Sequence, residues 1–330
     1  MKIAFYGSSD FSLQILKKLY SFHQIDKVDL KYVVSQPAKP FGRKRELKNN
    51  PVAQFCLENN IQLLTPYKIS ELKPNDLNVD ISFVAAYGKI LPKWLLGNAR
   101  YGFVNFHGSL LPKYRGAAPV QFCVLKQDIE ATGVTLIKMD EGMDTGQIIN
   151  NDTLKGSSKL IISREQFGEL TSGELMVKLG ELSVDILEKD FDYIFNPEEW
   201  NLVEQNESLA SYCYVSDMAK ENFEVKYADG VKLAHGKIMA ANPEPKAFGS
   251  FRIKEAEYKI NLLRSKFNLA DQDLSSLKKT GELMLHFDNL NKKLYLELFD
   301  GFLQILEIQT PAGKVVSGND FGNGFLSSKE

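Results

Sequence analysis

Along the first half of the chain, short apolar runs alternate with stretches whose apolar residues recur three or four positions apart. Ile3-Ala4-Phe5-Tyr6 is an unbroken apolar run, the pattern of a strand buried on both faces. Beyond Gly7, the residues Phe11, Ile15, Leu19 and Phe22 fall on one face of a helix, and Asp10 is placed to cap it. Residues 28–34 read as a second strand, and 81–86, nearly all apolar, as a central one. Phe103-Val104-Asn105-Phe106-His107 predicts a strand whose alternation puts Asn105 and His107 on one face and Val104 and Phe106 on the other. Gly116-Ala117-Ala118-Pro119 opens a helix, and residues 133–139 form another strand. Thr171-x-x-Glu174 is a capping box ahead of the helical stripe Leu175, Leu179, Leu182 and Ile186. This alternation predicts an α/β domain with a parallel sheet over residues 1–189.

From about 190 to 206 the periodicity fails and polar residues dominate, which reads as a linker. Residues 207–330 carry short strand-like runs at 237–239, 251–253, 284–287, 293–298 and 303–308, separated by Gly, Asn and Asp turns. Many short strands in succession predict a small barrel as a second domain.

Composition narrows the class without naming a chemistry. The chain has 330 residues, 44% hydrophobic and 25% charged, enough for two cores of ordinary soluble type. No apolar run is long enough to span a membrane, and with Met1 leading straight into the first strand no signal or transit peptide is expected. Cys56, Cys123 and Cys213 are scattered, as are the four histidines, so neither a disulfide framework nor a metal site is expected, and a cytoplasmic location fits. A net charge of −2 does not advertise nucleic acid, so such a partner must be met by local patches. One patch stands out: Lys39, Arg43, Lys44, Arg45 and Lys48 face a single acid, Glu46, in a loop shaped by Pro37, Pro40 and Gly42. Read blandly it is a solvated loop. Read functionally, its cations neutralise phosphate while its prolines lower the ordering cost.

The chemistry gathers in 102–147. Asn105 sets an amide donor beside the imidazole of His107 at the end of a strand. Ser109-Leu110-Leu111-Pro112 cannot be helical up to its proline and reads as a loop over a pocket. Residues 140–146 form an acidic, Gly-rich loop able to bring the carboxylate of Asp144 back to the histidine. Two familiar readings fail: GxGxxG is absent after the first strand, and Ser109 lacks the G-x-S-x-G elbow of a serine hydrolase. Taken alone, a buried amide and imidazole could equally satisfy backbone groups.

The run Asn105-x-His107-x-Ser109-Leu110-Leu111-Pro112-x-x-Arg115-Gly116-x-x-Pro119, with Asp144 beyond it, resembles the signature of the 10-formyltetrahydrofolate-dependent formyltransferases. The resemblance extends to Gly7-Ser8-Ser9-Asp10-Phe11, to Tyr87-Gly88-Lys89-Ile90-Leu91-Pro92, to Asn242-Pro243 and to Pro311-Ala312-Gly313-Lys314. It implies a Rossmann-like catalytic domain followed by an OB-like C-terminal domain. It implies that Asn105 and His107 bind the formyl oxygen and move protons, that Asp144 orients His107, and that folate meets Ser109, Leu110, Leu111, Pro112, Tyr87 and Gly88. The basic loop resembles the insertion by which methionyl-tRNA formyltransferases grip the acceptor end, which assigns Lys39, Arg43, Lys44 and Arg45 to tRNA. The implied donor is 10-formyltetrahydrofolate, with no metal. The implied acceptor is methionyl-initiator tRNA, met by a monomer without an obligate protein partner. A nucleotide-linked amino sugar is the alternative acceptor, and a folate- or RNA-binding module without turnover is the alternative from another class. Relatives recruit tRNA partly through a basic C-terminal barrel, yet 206–330 holds 16 basic and 17 acidic residues here. The local cluster Lys246, Arg252, Lys254, Lys259, Arg264 and Lys266 is therefore the expected second phosphate contact.

Overall fold

The computed structural model describes residues 1–41, 45–73, 77–150, 157–267 and 277–327. The chain opens with β1 (Lys2–Gly7), α1 (Asp10–Gln24), β2 (Asp29–Val34), β3 (Lys39–Phe41), β4 (Glu46–Lys48), α2 (Pro51–Glu58), β5 (Leu63–Leu64), β6 (Ile81–Ala85) and α3 (Lys93–Leu96). It continues through β7 (Phe103–His107), β8 (Arg115–Gly116), α4 (Pro119–Lys126), β9 (Gly133–Lys138), β10 (Gln147–Asn150), β11 (Ser157–Lys159), α5 (Arg164–Gly168), α6 (Ser172–Lys189), α7 (Phe191–Ile194), β12 (Asn201–Val203) and β13 (Tyr212–Cys213). Two compact units result. One comprises Met1–Pro119, Glu130–Leu160 and Met176–Cys213; the other comprises Val120–Ile129, Ile161–Leu175 and Tyr214–Glu330.

In the first unit a sheet runs in the order β12-β10-β9-β7-β6-β1-β2-β5, with β11 also on β9. From β5 to β7 every neighbour is parallel, and beyond β7 the strands β9, β10 and β12 are antiparallel. The parallel half follows from the strand–helix alternation; the antiparallel edge is a mixed-sheet extension that periodicity does not reveal. Tyr6, Tyr32, Val84 and Phe103 belong to one apolar cluster with Leu77, Tyr87, Leu91 and Leu95. Phe83 packs against Phe106 and Phe195, and Phe22 of α1 meets Phe191.

Several local expectations change at the ends of elements. Ser9, not Asp10, caps α1: its hydroxyl accepts from the Ser12 amide, while Asp10 is the first helical residue and sits where the helix dipole favours a carboxylate. The Thr171–Glu174 box caps α6, with the Thr171 amide donating to Glu174 Oε2 at 2.9 Å. The stretch 190–206 contains α7 and β12, and β12 pairs with β10 through Ile148–Val203 and its neighbours. The basic loop is a hairpin in which Lys39 pairs with Lys48, Pro40 with Leu47 and Phe41 with Glu46. Its Arg43 and Lys44 lie outside the described residues.

The second unit continues with α8 (Gly230–Ala240), β14 (Ala247–Ile253), β15 (Ala256–Lys266), β16 (Leu285–Asp288), β17 (Lys293–Leu298), β18 (Gly301–Gln309), β19 (Val315–Ser317) and α9 (Gly318–Phe321). Its antiparallel sheet has the order β14-β15-β18-β17-β16, with β19 on β18. Residues 237–239, read as a strand, belong instead to α8. Val231, Ala234, His235, Ile238 and Met239 are buried along it at helical spacing, a pattern that a three-residue window is too short to show. Within this unit a side chain at Gly236 would collide with the Leu125 carbonyl oxygen, so the glycine permits that backbone approach.

Candidate active site

All five residues of β7 are buried, and its pleat turns Asn105 and His107 to the same side. Asp144 returns to meet both. The Asn105 amide donates to Asp144 Oδ1 at 3.2 Å, and His107 Nδ1 lies 3.6 Å from Asp144 Oδ2. The Gly116 backbone N–H donates to that same Oδ2 at 2.8 Å. His107 Nε2 is 3.0 Å from the Tyr114 carbonyl oxygen. A carbonyl can only accept, so Nε2 carries a proton and Nδ1 is the nitrogen free to gain or lose one. At 3.6 Å, Nδ1 is not hydrogen-bonded to the carboxylate, and one hydrogen of the Asn105 amide is uncommitted by the bond to Asp144. The site thus brings an amide donor, a titratable imidazole nitrogen and a fixed carboxylate to one point.

The loop after β7 is braced from below. Thr135, opposite His107 on β9, donates its hydroxyl to the Ser109 carbonyl at 2.7 Å and accepts from the Leu111 amide at 3.0 Å. The Ser109 hydroxyl, fully buried, donates to the Lys113 carbonyl at 2.6 Å. Ser109 therefore closes its own loop, and the half-buried Leu110 and Pro112 are the side chains that the loop presents. Tyr87 is buried and its hydroxyl has no partner among the described residues; burial pushes its pKa up to about 12. The neighbouring Gly88 has φ +75°, and the Tyr87 carbonyl accepts from Gln36 Nε2 at 2.7 Å. The basic hairpin lies apart from these groups in sequence, and both Lys39 and Arg45 are exposed on it. A cleft of about 240 Å³ at its base is lined by Ser8, Gln36, Lys39, Lys48 and Asn50.

Residues without any periodic signal support the site. Arg115 is completely buried, and its guanidinium holds Glu207 in two bonds of 2.7 and 2.9 Å. That pairing raises the Arg115 pKa and holds the Glu207 carboxyl below its usual range. Arg115 Nε also donates to Gln205 Oε1 at 3.0 Å. A Gln-x-Glu pair in a polar stretch is invisible to pattern reading, and its partners are some ninety positions away. In the C-terminal unit the anticipated basic cluster is divided: Arg264 pairs with Glu174, Lys266 with Glu169, and the exposed Lys259 lies 3.5 Å over the Phe248 ring, while Arg252 near the end of β14 and Lys254 in the turn after it are exposed and Lys246 is half-buried. His286 bonds the buried Glu297 at 2.7 Å.

Comparison with known proteins agrees along the whole chain. Residues 1–159 match the formyl transferase family and residues 217–326 the formyl transferase C-terminal domain. A methionyl-tRNA formyltransferase of Carboxydothermus hydrogenoformans is 33% identical, covering 98% of this chain and 97% of its own. That of Hydrogenobaculum sp. is 34% identical, covering 99% and 98%. Among solved structures, an N-formyltransferase from Helicobacter canadensis, in complex with folinic acid and dTDP-3-aminofucose, shares the fold with a TM-score of 0.62 at 20% identity, covering 92% of this chain and 98% of that one. With both domains matched and relatives above 30% identity over nearly their full length, the chain belongs to the formyltransferase family, among proteins named methionyl-tRNA formyltransferase.

Proposed function

We propose that the protein transfers the formyl group of 10-formyltetrahydrofolate to the free amine of methionyl-initiator tRNA. The observation that supports it is the convergence of Asn105 and His107 on Asp144, in a chain similar to methionyl-tRNA formyltransferases along nearly all its length. The amine attacks the formyl carbon and the carbonyl oxygen becomes an oxyanion. The free hydrogen of the Asn105 amide meets that oxygen as a donor arranged before the charge develops, and His107 Nδ1 joins it as a donor once it has taken the proton of the attacking amine, which it then passes to N10. An amide cannot titrate, so proton movement between the incoming amine and the departing N10 falls to His107. Asp144 balances the imidazolium, and the Gly116 N–H fixes its carboxylate.

The folate would lie against Tyr87–Gly88 and the Ser109–Pro112 loop. The Tyr87 side chain is itself buried in the apolar cluster with Leu91 and Leu95, so in this reading it shapes the wall behind Gly88. Lys39 and Arg45 on the hairpin, with Arg43 and Lys44 between its strands in sequence, would hold tRNA phosphates. Residues 1–189 carry the transfer chemistry in this reading, 190–206 connect, and 207–330 add tRNA affinity, in a cytoplasmic monomer. No metal has a role in the reaction as written. The test is mass analysis of methionyl-tRNA incubated with the protein and 10-formyltetrahydrofolate, beside a nucleotide-linked amino sugar and an acceptor-free control. A formyl mass on the tRNA alone is expected; formyl on the sugar alone would reverse the assignment.

A further inference from the structure

Behind Asp144 lies a chain of buried polar groups that the reaction itself does not touch. Asp144 has φ +54°, in the left-handed region, so its turn needs holding from outside. Gln205 Nε2 supplies that hold, donating to the Asp144 carbonyl at 2.7 Å and to the Gly146 carbonyl at 2.8 Å. The direction of the amide is fixed by its other end, because Arg115 Nε–H can only donate and therefore faces Oε1. Glu207 in turn pins the guanidinium of Arg115. The same segment then lies along the opposite side of the site. Ser211 receives the Tyr114 and Arg115 amides, and β13 pairs with β8. Tyr114 supplies the carbonyl on His107 Nε2, and Gly116 supplies the N–H on Asp144 Oδ2.

We propose that Gln205 is a positioning residue for formyl transfer, setting the Asp144 turn against His107 through its amide, with Arg115 and Glu207 fixing the sense of that amide. The inference rests on the functional reading above and adds a residue that touches neither substrate. Its amide makes three bonds and all three are polar-directional, so a side chain of equal length without them fills the space but releases the turn.

The experiment compares wild type and Gln205→Met in methionyl-tRNA formylation, with His107 imidazole nitrogens followed by 15N NMR and assigned by their loss in His107→Asn. A positioning role lowers kcat by roughly 10- to 100-fold, since sub-ångström misplacement of reacting groups has effects of this size. It leaves KM for folate and tRNA within about threefold, and it shifts the His107 Nδ1 resonance while Nε2 stays bonded. Unchanged kcat would overturn the inference, as would a lower kcat with the His107 signals unmoved, which marks a purely structural brace. If Gln205→Met does not fold, Glu207→Gln alters an exposed carboxylate and carries the same comparison: a smaller fall in kcat with an Nδ1 shift in the same direction is expected, and the absence of either would overturn the inference. Absence of formylated tRNA with the wild type removes the functional reading and this inference together; an active wild type with an unimpaired variant removes this inference alone.

Discussion

Acid should loosen the C-terminal unit through one buried imidazole. His235 on α8 is 1% exposed, with Nε2 2.9 Å from the Gly168 carbonyl oxygen and Nδ1 2.9 Å from the Ser265 hydroxyl. The carbonyl requires a proton on Nε2, so Nδ1 accepts from Ser265 and the ring is neutral. Burial pushes the pKa down to about 4, against the smaller opposing pull of the Gly168 hydrogen bond. In the unfolded chain the ring titrates at about 6.5. Above that pH both states are neutral and the stability is present in full. As pH falls from 6.5 towards 4, the unfolded chain takes a proton that the folded one refuses, and stability is lost at about 1.4 kcal/mol per pH unit. Between pH 7 and pH 5 this ring should remove about 2 kcal/mol. Gln at this position keeps a donor for Gly168 and an acceptor for Ser265 but does not titrate. Native-state hydrogen exchange of β15 and β18 peptides, read by mass spectrometry at the two pH values, compares wild type with His235→Gln. Other titrating groups are common to both proteins and cancel in the difference. Wild type should lose about 2 kcal/mol more than the variant on acidification; equal losses would refute the reasoning.

Asn105→Ala should lower kcat by about 10²-fold, equivalent to roughly 3 kcal/mol of oxyanion stabilisation, and leave folate binding intact; Asp144→Asn should lower kcat as well, and normal turnover in both folded variants would remove the site. Replacing Lys39 and Arg45 by serine should raise KM for methionyl-tRNA without altering any hydrolysis of 10-formyltetrahydrofolate, measured as initial rates over a tRNA series. Serines at Arg252 and Lys254 should make the dependence of tRNA affinity on salt shallower, by about 0.9 in the log–log slope for each phosphate no longer neutralised; parallel slopes would mean that this turn does not touch the tRNA.

What is legible in the sequence and what is not divide along physical lines. β1 and β6 are legible as nearly unbroken apolar runs, β7 as a short run with alternating faces, and the Thr171–Glu174 cap because its partners are three positions apart. Asn105 and His107 declare a shared face through the strand period alone. The helix at 230–240 is hidden when three of its residues stand in for a longer pattern, and Asp10 displaces Ser9 as the expected cap because both are good caps and only geometry chooses. Position 109 shows a different limit. The family resemblance assigns Ser109 to the folate, and its hydroxyl is turned to the Lys113 carbonyl of the loop that carries it. Spacing gives the neighbourhood of a hydroxyl and not the direction in which it points.

The stretch around residue 205 carries this furthest. Polar composition and absent periodicity make it resemble a connection, because both are the marks of chain that buries no apolar stripe. A residue can, however, be polar because it is hydrogen-bonded inside. Gln205 is 8% exposed, Arg115 not at all, and the two are bonded to each other, while Gln205 also holds the turn of Asp144. A fully buried guanidinium would be costly alone; here a carboxylate that is itself largely in solvent, Glu207, neutralises it in two bonds. Through Gln205 the charged pair is thus linked from the surface to the turn that carries Asp144. Holding the loops of an active site from behind requires directional groups rather than oil, and these leave no periodic trace in a sequence. The residues best suited to orient a site are for that reason the ones that composition assigns to a linker.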